Sequence, residues 1–235
     1  NGRWAKMRGH NRIFGHRHGV TAVRETAEAG AELGVKYLTL YAFSTENWNR
    51  PVTEVNALMT LLVKTIGGEL KTLLKNDIRL NAIGDIDSLP KSVAKNLRET
   101  IAKTSHCKRM EMILALSYSG KNELVRAMKQ IALEVKGGEI DLHDINEQLI
   151  ESNLYTAGIP DPELLIRTSG EKRISNFLLW QMAYTEMYFT DTLWPDFSEA
   201  ALQKALHWFG LRVRRFGRTD DQVAAESQVL VERPA

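Results

Sequence analysis

Arginines, hydroxyls and side-chain amides recur together in three stretches of this chain, and that mixture is chemistry for holding phosphates. One stretch is Ser44-Thr45-Glu46-Asn47-Trp48-Asn49-Arg50-Pro51. A second runs from Arg167 through Thr168-Ser169-Gly170-Glu171-Lys172-Arg173-Ile174-Ser175-Asn176. The third is Asn1-Gly2-Arg3-Trp4, with Arg12, Gly15 and His16 close behind. Guanidinium forks and hydroxyls match the oxygens of a diphosphate, and Arg is preferred where contact is bidentate. If a helix starts within Arg3 to Met7, its free N–H groups and dipole favour an anion at Gly2. Three such stretches suggest two phosphorylated substrates rather than one. Each residue alone has a plainer reading. Arg167 could pair with a core carboxylate, His16 could be a satisfied surface imidazole, and Trp48 and Trp180 could be core.

The elements that must position these residues alternate between strand and helix. Val35 to Phe43 reads as a buried strand, preceded by a helix ending at Gly34. Pro51 opens a long helix with Val55, Leu58, Met59, Leu62, Val63, Ile66, Leu70, Leu73 and Leu74 on one side. Such a stripe is ordinarily core, though a lipid-lined tunnel has the same pattern. Further strands are expected at Ile78 to Ile83, Met110 to Leu116 and Leu164 to Arg167, with Met187 to Phe189 in a fifth. Helices are expected near 92–103, 123–135, 145–152 and 198–215. This alternation predicts a single α/β domain over 1–235, with a mostly parallel central sheet flanked by helices. Ligands of such sheets sit beyond the carboxyl ends of strands, where the first two stretches fall.

Bulk composition narrows the function classes. The chain has 235 residues, 43% hydrophobic and 26% charged, with a net charge of only +2. No global field marks a nucleic-acid binder. The N-terminus is basic, with Arg3, Lys6, Arg8, Arg12, Arg17 and Arg24 preceding the first acid, Glu25. That run suits an anion site or a solvated basic face. It lacks the aromatic interleaving of a nucleic-acid module, whose binding would collapse as salt rises. Cys107 is the sole cysteine, which excludes an internal disulfide and fits a reducing cytosol. No apolar run approaches the roughly 20 residues of a membrane span. Walker, dinucleotide and zinc patterns are absent. Asp220-Asp221 lacks the third Asp of the trans-type prenyl synthase motif.

Taken in order, the stretches resemble the cis-prenyltransferase family, and within it the bacterial undecaprenyl diphosphate synthases. Asn1-Gly2-Arg3-Trp4-Ala5 resembles the end of the signature D-G-N-G-R-W-A. Arg12-Ile13-Phe14-Gly15-His16, the block Leu40 to Pro51 and the block Arg167 to Gln181 follow in the family's order. Tyr184-Thr185-Glu186, Trp194-Pro195 and the basic Arg214-Arg215-Phe216-Gly217 complete it. The chain departs from the pattern at Ser117-Tyr118-Ser119-Gly120-Lys121, where the family usually has N-Y-G-G-R. The signature's leading Asp and its strand lie upstream of Asn1. A chain starting at Asn1 is therefore expected to begin partway through its natural sequence and to turn over weakly until that strand is restored.

The resemblance implies a transferase that condenses isopentenyl diphosphate with an allylic diphosphate, farnesyl diphosphate, in cis. The product would be a long polyprenyl diphosphate, the lipid-carrier precursor of cell-wall synthesis. By resemblance the allylic head sits on Asn1, Gly2, Arg3, Trp4 and Arg12, and its tail enters a tunnel along the Val55–Leu74 helix. Met112 would lie at the tunnel floor. Isopentenyl diphosphate falls to Arg167, Arg173, Ile174 and Ser175, and Glu186 helps to hold Mg2+. Asn47 is the family's proposed proton acceptor, with Ser44 and His16 close by; because an amide is a poor base, the alternative is that Asn47 orients the group that takes the proton, pyrophosphate itself included. Trp48 and Arg50 would close over the reacting ends, and Ser44, Thr45 and Glu46 would also bind substrate. A homodimer is implied, with Arg214-Arg215-Phe216-Gly217 near the partner's site and Leu202, Leu206, Phe209 and Val213 available to bury. Location is expected to be cytoplasmic, at most peripheral to the inner membrane face, with transient membrane contact for product release. The rival reading is a polyprenyl-binding or regulatory relative without turnover.

Overall fold

The computed structural model describes residues 1–215 together with 217, 219 and 222. Phe216 of the basic segment and the Asp220-Asp221 pair lie outside the described residues. Five strands and seven α-helices are seen among them. Strands β1 (Tyr37–Ser44), β2 (Ile78–Ile83) and β3 (Met110–Tyr118) form one sheet in the order β1-β3-β2. Strands β4 (Leu164–Arg167) and β5 (Glu186–Phe189) form another. Every pairing is parallel, as the alternation predicts. A single central sheet is not formed: the strands divide into these two sheets. The unpaired edges of β1 and β4 both face the same cavity.

Helix α2 (Arg12–Glu32) buries a face of small residues, including Gly15, Gly19, Ala22 and Ala27, so neighbouring backbone comes close. It starts where Asn11 accepts a hydrogen bond from Phe14 N at 2.9 Å, an N-cap. It ends at Glu32, two residues before Gly34, whose positive φ suits glycine. Helix α3 (Val52–Lys75) follows Pro51 and buries Val55, Met59, Ile66 and Leu73 in the main core cluster, packing against α4 (Lys91–Thr104), α2 and β2. Leu74, expected on that stripe, is exposed instead. Helices α4 and α6 (Glu147–Ser152) match their expected spans closely.

Helix α5 (Gly120–Gly137) starts earlier than periodicity suggests, because Ser119 caps it and a distant side chain joins in. Helix α7 (Glu199–Gly210) is shorter than expected and stops before the basic segment. Its Gly210 has poor helix propensity. Leu202 packs with Ala29 and Phe197, and Leu206 and Phe209 line the cavity, so this helix buries its apolar side on its own chain. Of the apolar residues expected to serve a partner there, only Val213 is left exposed.

Candidate active site

The strand ends carry the site. β1 ends at Ser44 and runs into the 3-10 turn Thr45–Asn49, while β4 ends at Arg167. Helix α1 (Gly2–Met7) begins at Gly2, one residue before the stretch expected to start a helix. These meet at the mouth of a cavity of about 1690 Å³. One limb runs between α2, α3 and the first sheet, walled by Val23, Leu58, Leu62, Ile66, Met112 and Leu114. Another runs between the free edges of β1 and β4.

Two clusters of arginine stand at the mouth, and each closes around a glutamate. Glu54 Oε1 lies 3.3 Å from Arg12 Nε and 3.2 Å from Arg50 Nη1. Glu171 lies 2.8 Å from Arg3 Nη2 and also pairs with Arg173. The Arg173 hydrogen bond, together with the charges of Arg173, Arg3 and Arg167, holds the Glu171 carboxyl below the usual range. Neither glutamate stands out in the sequence. The spacing of Arg50 and Glu54, four apart at the head of a helix, is the one signal that could have found the first.

Arg167 is half-buried, and its Nε has no hydrogen-bond partner. Burial first, and then the neighbouring Arg173, lower its pKa. A cation so placed gains from an incoming anion. His16 is in the same condition. Its Nδ1 accepts from Asn1 Nδ2 at 3.2 Å, and its buried Nε2 is unpartnered. Burial first, and then neighbouring positive charge, Arg50 included, push its pKa down to about 4, so the ring is neutral and Nε2–H is a donor. Gly15 and Gly19 make room for Asn1. A Cβ on Gly15 would lie 2.2 Å from the Asn1 carbonyl oxygen, and one on Gly19 2.8 Å from Asn1 Nδ2. Gly2 lies under Arg12 in the same way, at 3.1 Å.

Asn47 lines the cavity, but its Oδ1 accepts from Ser44 N at 3.2 Å and its own N–H is bonded by the Ser44 side chain. That reciprocal capping box fixes the turn and leaves the amide N–H groups as donors. Asn47 is thus placed to orient a group rather than to take a proton, since an amide is not a base at neutral pH.

Several expected residues are off the wall. Trp4 is buried, donates through Nε1 to Asp196 Oδ1 at 2.7 Å, and carries Arg8 on its ring. Trp48 packs edge-on against Phe43 and donates to Ser117 Oγ at 3.0 Å, so it braces the turn instead of covering substrate. Thr45 bonds Glu46, and Glu46 turns toward Asn176. Ile174 lines the cavity, whereas Ser175 does not.

Glu186 is not brought to the mouth. It opens β5 opposite Leu164, while Arg167 pairs with Phe189 at the other end of the strand. Three residues of strand separate those ends by about 10 Å. Glu186 instead pairs with Arg212 at 3.3 Å. Among the described residues, no cluster of three or more His, Cys, Asp or Glu could hold a metal. With Glu54 and Glu171 taken up by arginines, these side chains do not fit a protein-held Mg2+.

The α/β fold thus sets two arginine–glutamate clusters at the mouth of one largely apolar cavity. Comparison with known proteins identifies its family. Residues 1–217 match the prenyltransferase family described as undecaprenyl diphosphate synthase. An isoprenyl transferase of Porphyromonas gingivalis is 52% identical over 95% of this chain and 88% of its own. A ditrans,polycis-undecaprenyl-diphosphate synthase of Vibrio parahaemolyticus, (2E,6E)-farnesyl-diphosphate specific, is 49% identical over 96% and 90%. The crystal structure of lavandulyl diphosphate synthase from Lavandula x intermedia with dimethylallyl diphosphate superposes with a TM-score of 0.89. It is 38% identical, over 92% of this chain and 93% of that one. The chain belongs to the undecaprenyl diphosphate synthase family of isoprenyl transferases, and it is an enzyme of that family.

Proposed function

We propose that this chain lengthens an allylic diphosphate, farnesyl diphosphate, with successive isopentenyl diphosphate units in cis. The observation that carries this reading is the pairing of two arginine clusters with one apolar limb at a single mouth. Two charged heads can be held side by side while only one tail needs the limb. The lavandulyl enzyme of similar fold was solved with an allylic diphosphate, which supports the same class of ligand here.

The allylic head takes the Arg12–Arg50 cluster with Asn1, Gly2 and the Nε2–H of His16, while Arg3, which pairs with Glu171 of the other cluster, reaches it from the neighbouring site. Its tail lies along Val23, Leu58, Leu62 and Ile66. Isopentenyl diphosphate takes Arg167 and Arg173, beside Ile174 and Ser175. The allylic C–O bond breaks, and the guanidinium groups stabilise charge on the departing diphosphate as it develops. The isopentenyl alkene then forms the new C–C bond at the allylic carbon, and a proton leaves the isopentenyl unit. Asn47 orients the acceptor of that proton, for which the departing diphosphate is the base at hand. Water kept out of the apolar limb protects the allylic cation.

Mg2+ stays in the proposal as the cofactor, although Glu186 in its present place does not fit as its ligand at this mouth. Met187 and Phe189 leave one face of the edge strand β5 exposed, and that face is proposed to meet a second copy. No helix among the described residues is long and apolar enough to cross a membrane. A cytoplasmic site of action, with brief contact at the membrane surface for product release, completes the reading.

The test is incubation with farnesyl diphosphate and labelled isopentenyl diphosphate, with and without Mg2+, followed by chain-length analysis. Butanol-extractable polyprenyl diphosphate with cis units, abolished by chelation, supports the proposal. Tight binding of polyprenyl diphosphate without incorporation would favour a non-catalytic carrier instead.

A further inference from the structure

We infer that Asn176 is a positioning residue that sets the isopentenyl diphosphate loop against the Asn47 turn. The inference rests on the proposed function above, and the geometry is that of one residue tying its own loop to two other elements. Its backbone carbonyl accepts from Gly120 N at 2.7 Å, and its Oδ1 accepts from Lys121 N at 2.9 Å. Those are the first two N–H groups of α5, which no residue within the helix can satisfy. Ser119 Oγ accepts from Asn122 N and its carbonyl from Glu123 N, so Asn176 completes the helix start from a distance. Its Nδ2 donates to Glu46 Oε1 at 2.7 Å. Glu46 lies one residue before Asn47 in the 3-10 turn. Although burial works against ionisation, the bond from Asn176 and those from Ser44 and Thr45 help hold the Glu46 carboxyl below its ordinary range.

The backbone around Asn176 is held in an uncommon form. Ser175, Asn176 and Leu178 have φ of 53°, 62° and 43°. Asparagine tolerates that region better than most residues, while serine and leucine do not favour it. Beneath the loop, Tyr41 stacks on Phe177 with centroids 4.5 Å apart, and its hydroxyl donates to Tyr118 O at 3.2 Å. The strained run leads straight from Arg173 and Ile174. Asn176 therefore ties the loop that carries Arg173 to the turn that carries Asn47, across the α5 start. Fixed spacing between two reacting substrates is what such a tie supplies.

The test separates the side chain from the backbone. Asn176→Gly keeps the left-handed conformation with less strain than asparagine and removes both side-chain bonds. Asn176→Asp keeps the acceptor for Lys121 N but sets a carboxylate against Glu46. If Asn176 positions the loop, both variants raise KM for isopentenyl diphosphate at least tenfold and lower kcat, while KM for farnesyl diphosphate moves less than twofold. The combined Asn176→Gly, Glu46→Ala variant then loses little more than the worse single variant, because both act through one contact. Circular dichroism identifies a variant that fails to fold, in which case the other decides. Unchanged kinetics in folded Asn176→Gly would overturn the inference, and so would equal losses for both substrates. Arg173→Ala tells this apart from failure of the functional reading. If that variant raises KM for isopentenyl diphosphate and Asn176→Gly does not, only the positioning role is lost.

Discussion

At the mouth of the cavity, two glutamates sit where phosphate oxygens would be expected, each between two arginines. A diphosphate entering either cluster meets guanidinium groups already spaced by a carboxylate. Arg167 is different, since it is half-buried with its Nε unpartnered. Arg167→Ala removes a charge-assisted contact of about 1.5–3 kcal/mol. That corresponds to a loss of roughly 10- to 150-fold in kcat/KM with isopentenyl diphosphate, measured by steady-state kinetics. His16 offers a check by pH. Its folded pKa of about 4 lies below the ordinary 6.5, so the unfolded chain takes up the proton first as pH falls. Its contribution to stability is complete above about pH 6.5 and is lost progressively toward pH 4, by at most about 1.4 kcal/mol per pH unit. Urea denaturation at pH 7, 6, 5 and 4 should show a shallower fall for His16→Gln than for the native chain. Equal slopes would mean that His16 is not held neutral by its surroundings. Residue types and order in the sequence were enough to bring Asn1, Arg3, Arg12, His16, Arg50, Arg167 and Arg173 to one place. Glu54 and Glu171 were not legible, because an acid beside an arginine reads as an ordinary surface pair.

Among the elements, α3 shows best how far pattern reaches. Its apolar stripe is plain in the sequence, yet the same stripe serves core and cavity. Val55, Met59, Ile66 and Leu73 are buried, while Leu58, Leu62 and Ile66 also face the open limb. Only packing against α4, α2 and β2 separates these roles. Met112 in β3 reaches the same limb and is 6% exposed. Met112→Ala should open the limb and shift products toward longer chains, read by thin-layer or mass analysis of the dephosphorylated polyprenols. It should also cost about 2–5 kcal/mol of stability if the space stays empty. A native product ladder from a folded variant would show that Met112 does not limit length. Strand register was the information least available in the sequence. The segment around Met187 reads as a strand, but nothing in it shows that Glu186 lies opposite Leu164, away from Arg167. For the same reason the division into two sheets is not visible, since parallel strands read alike in one sheet or two. Helix α7 ended early at Gly210, a residue whose low propensity was there to be read.

For the whole molecule, the parallel α/β arrangement follows from alternation alone, and the site lies beyond the strand ends as such sheets require. The apolar residues of α7 turn inward, and the dimer proposed above would form instead at β5, where Met187 and Phe189 share an exposed face of an edge strand. Met187→Asp with Phe189→Asp should convert a dimer to monomer in sedimentation velocity. A native chain that sediments as a monomer at working concentration would remove the dimer from the account. In the proposed function the two arginine clusters receive two different diphosphates, and the Michaelis constants of Arg12→Ala and Arg173→Ala distinguish them. Opposite selectivity is expected. Arg12→Ala should raise KM for farnesyl diphosphate about tenfold or more and leave that for isopentenyl diphosphate within twofold. Arg173→Ala should do the reverse. If each variant weakens both substrates equally, the mouth holds one shared anion site in place of two head-group clusters.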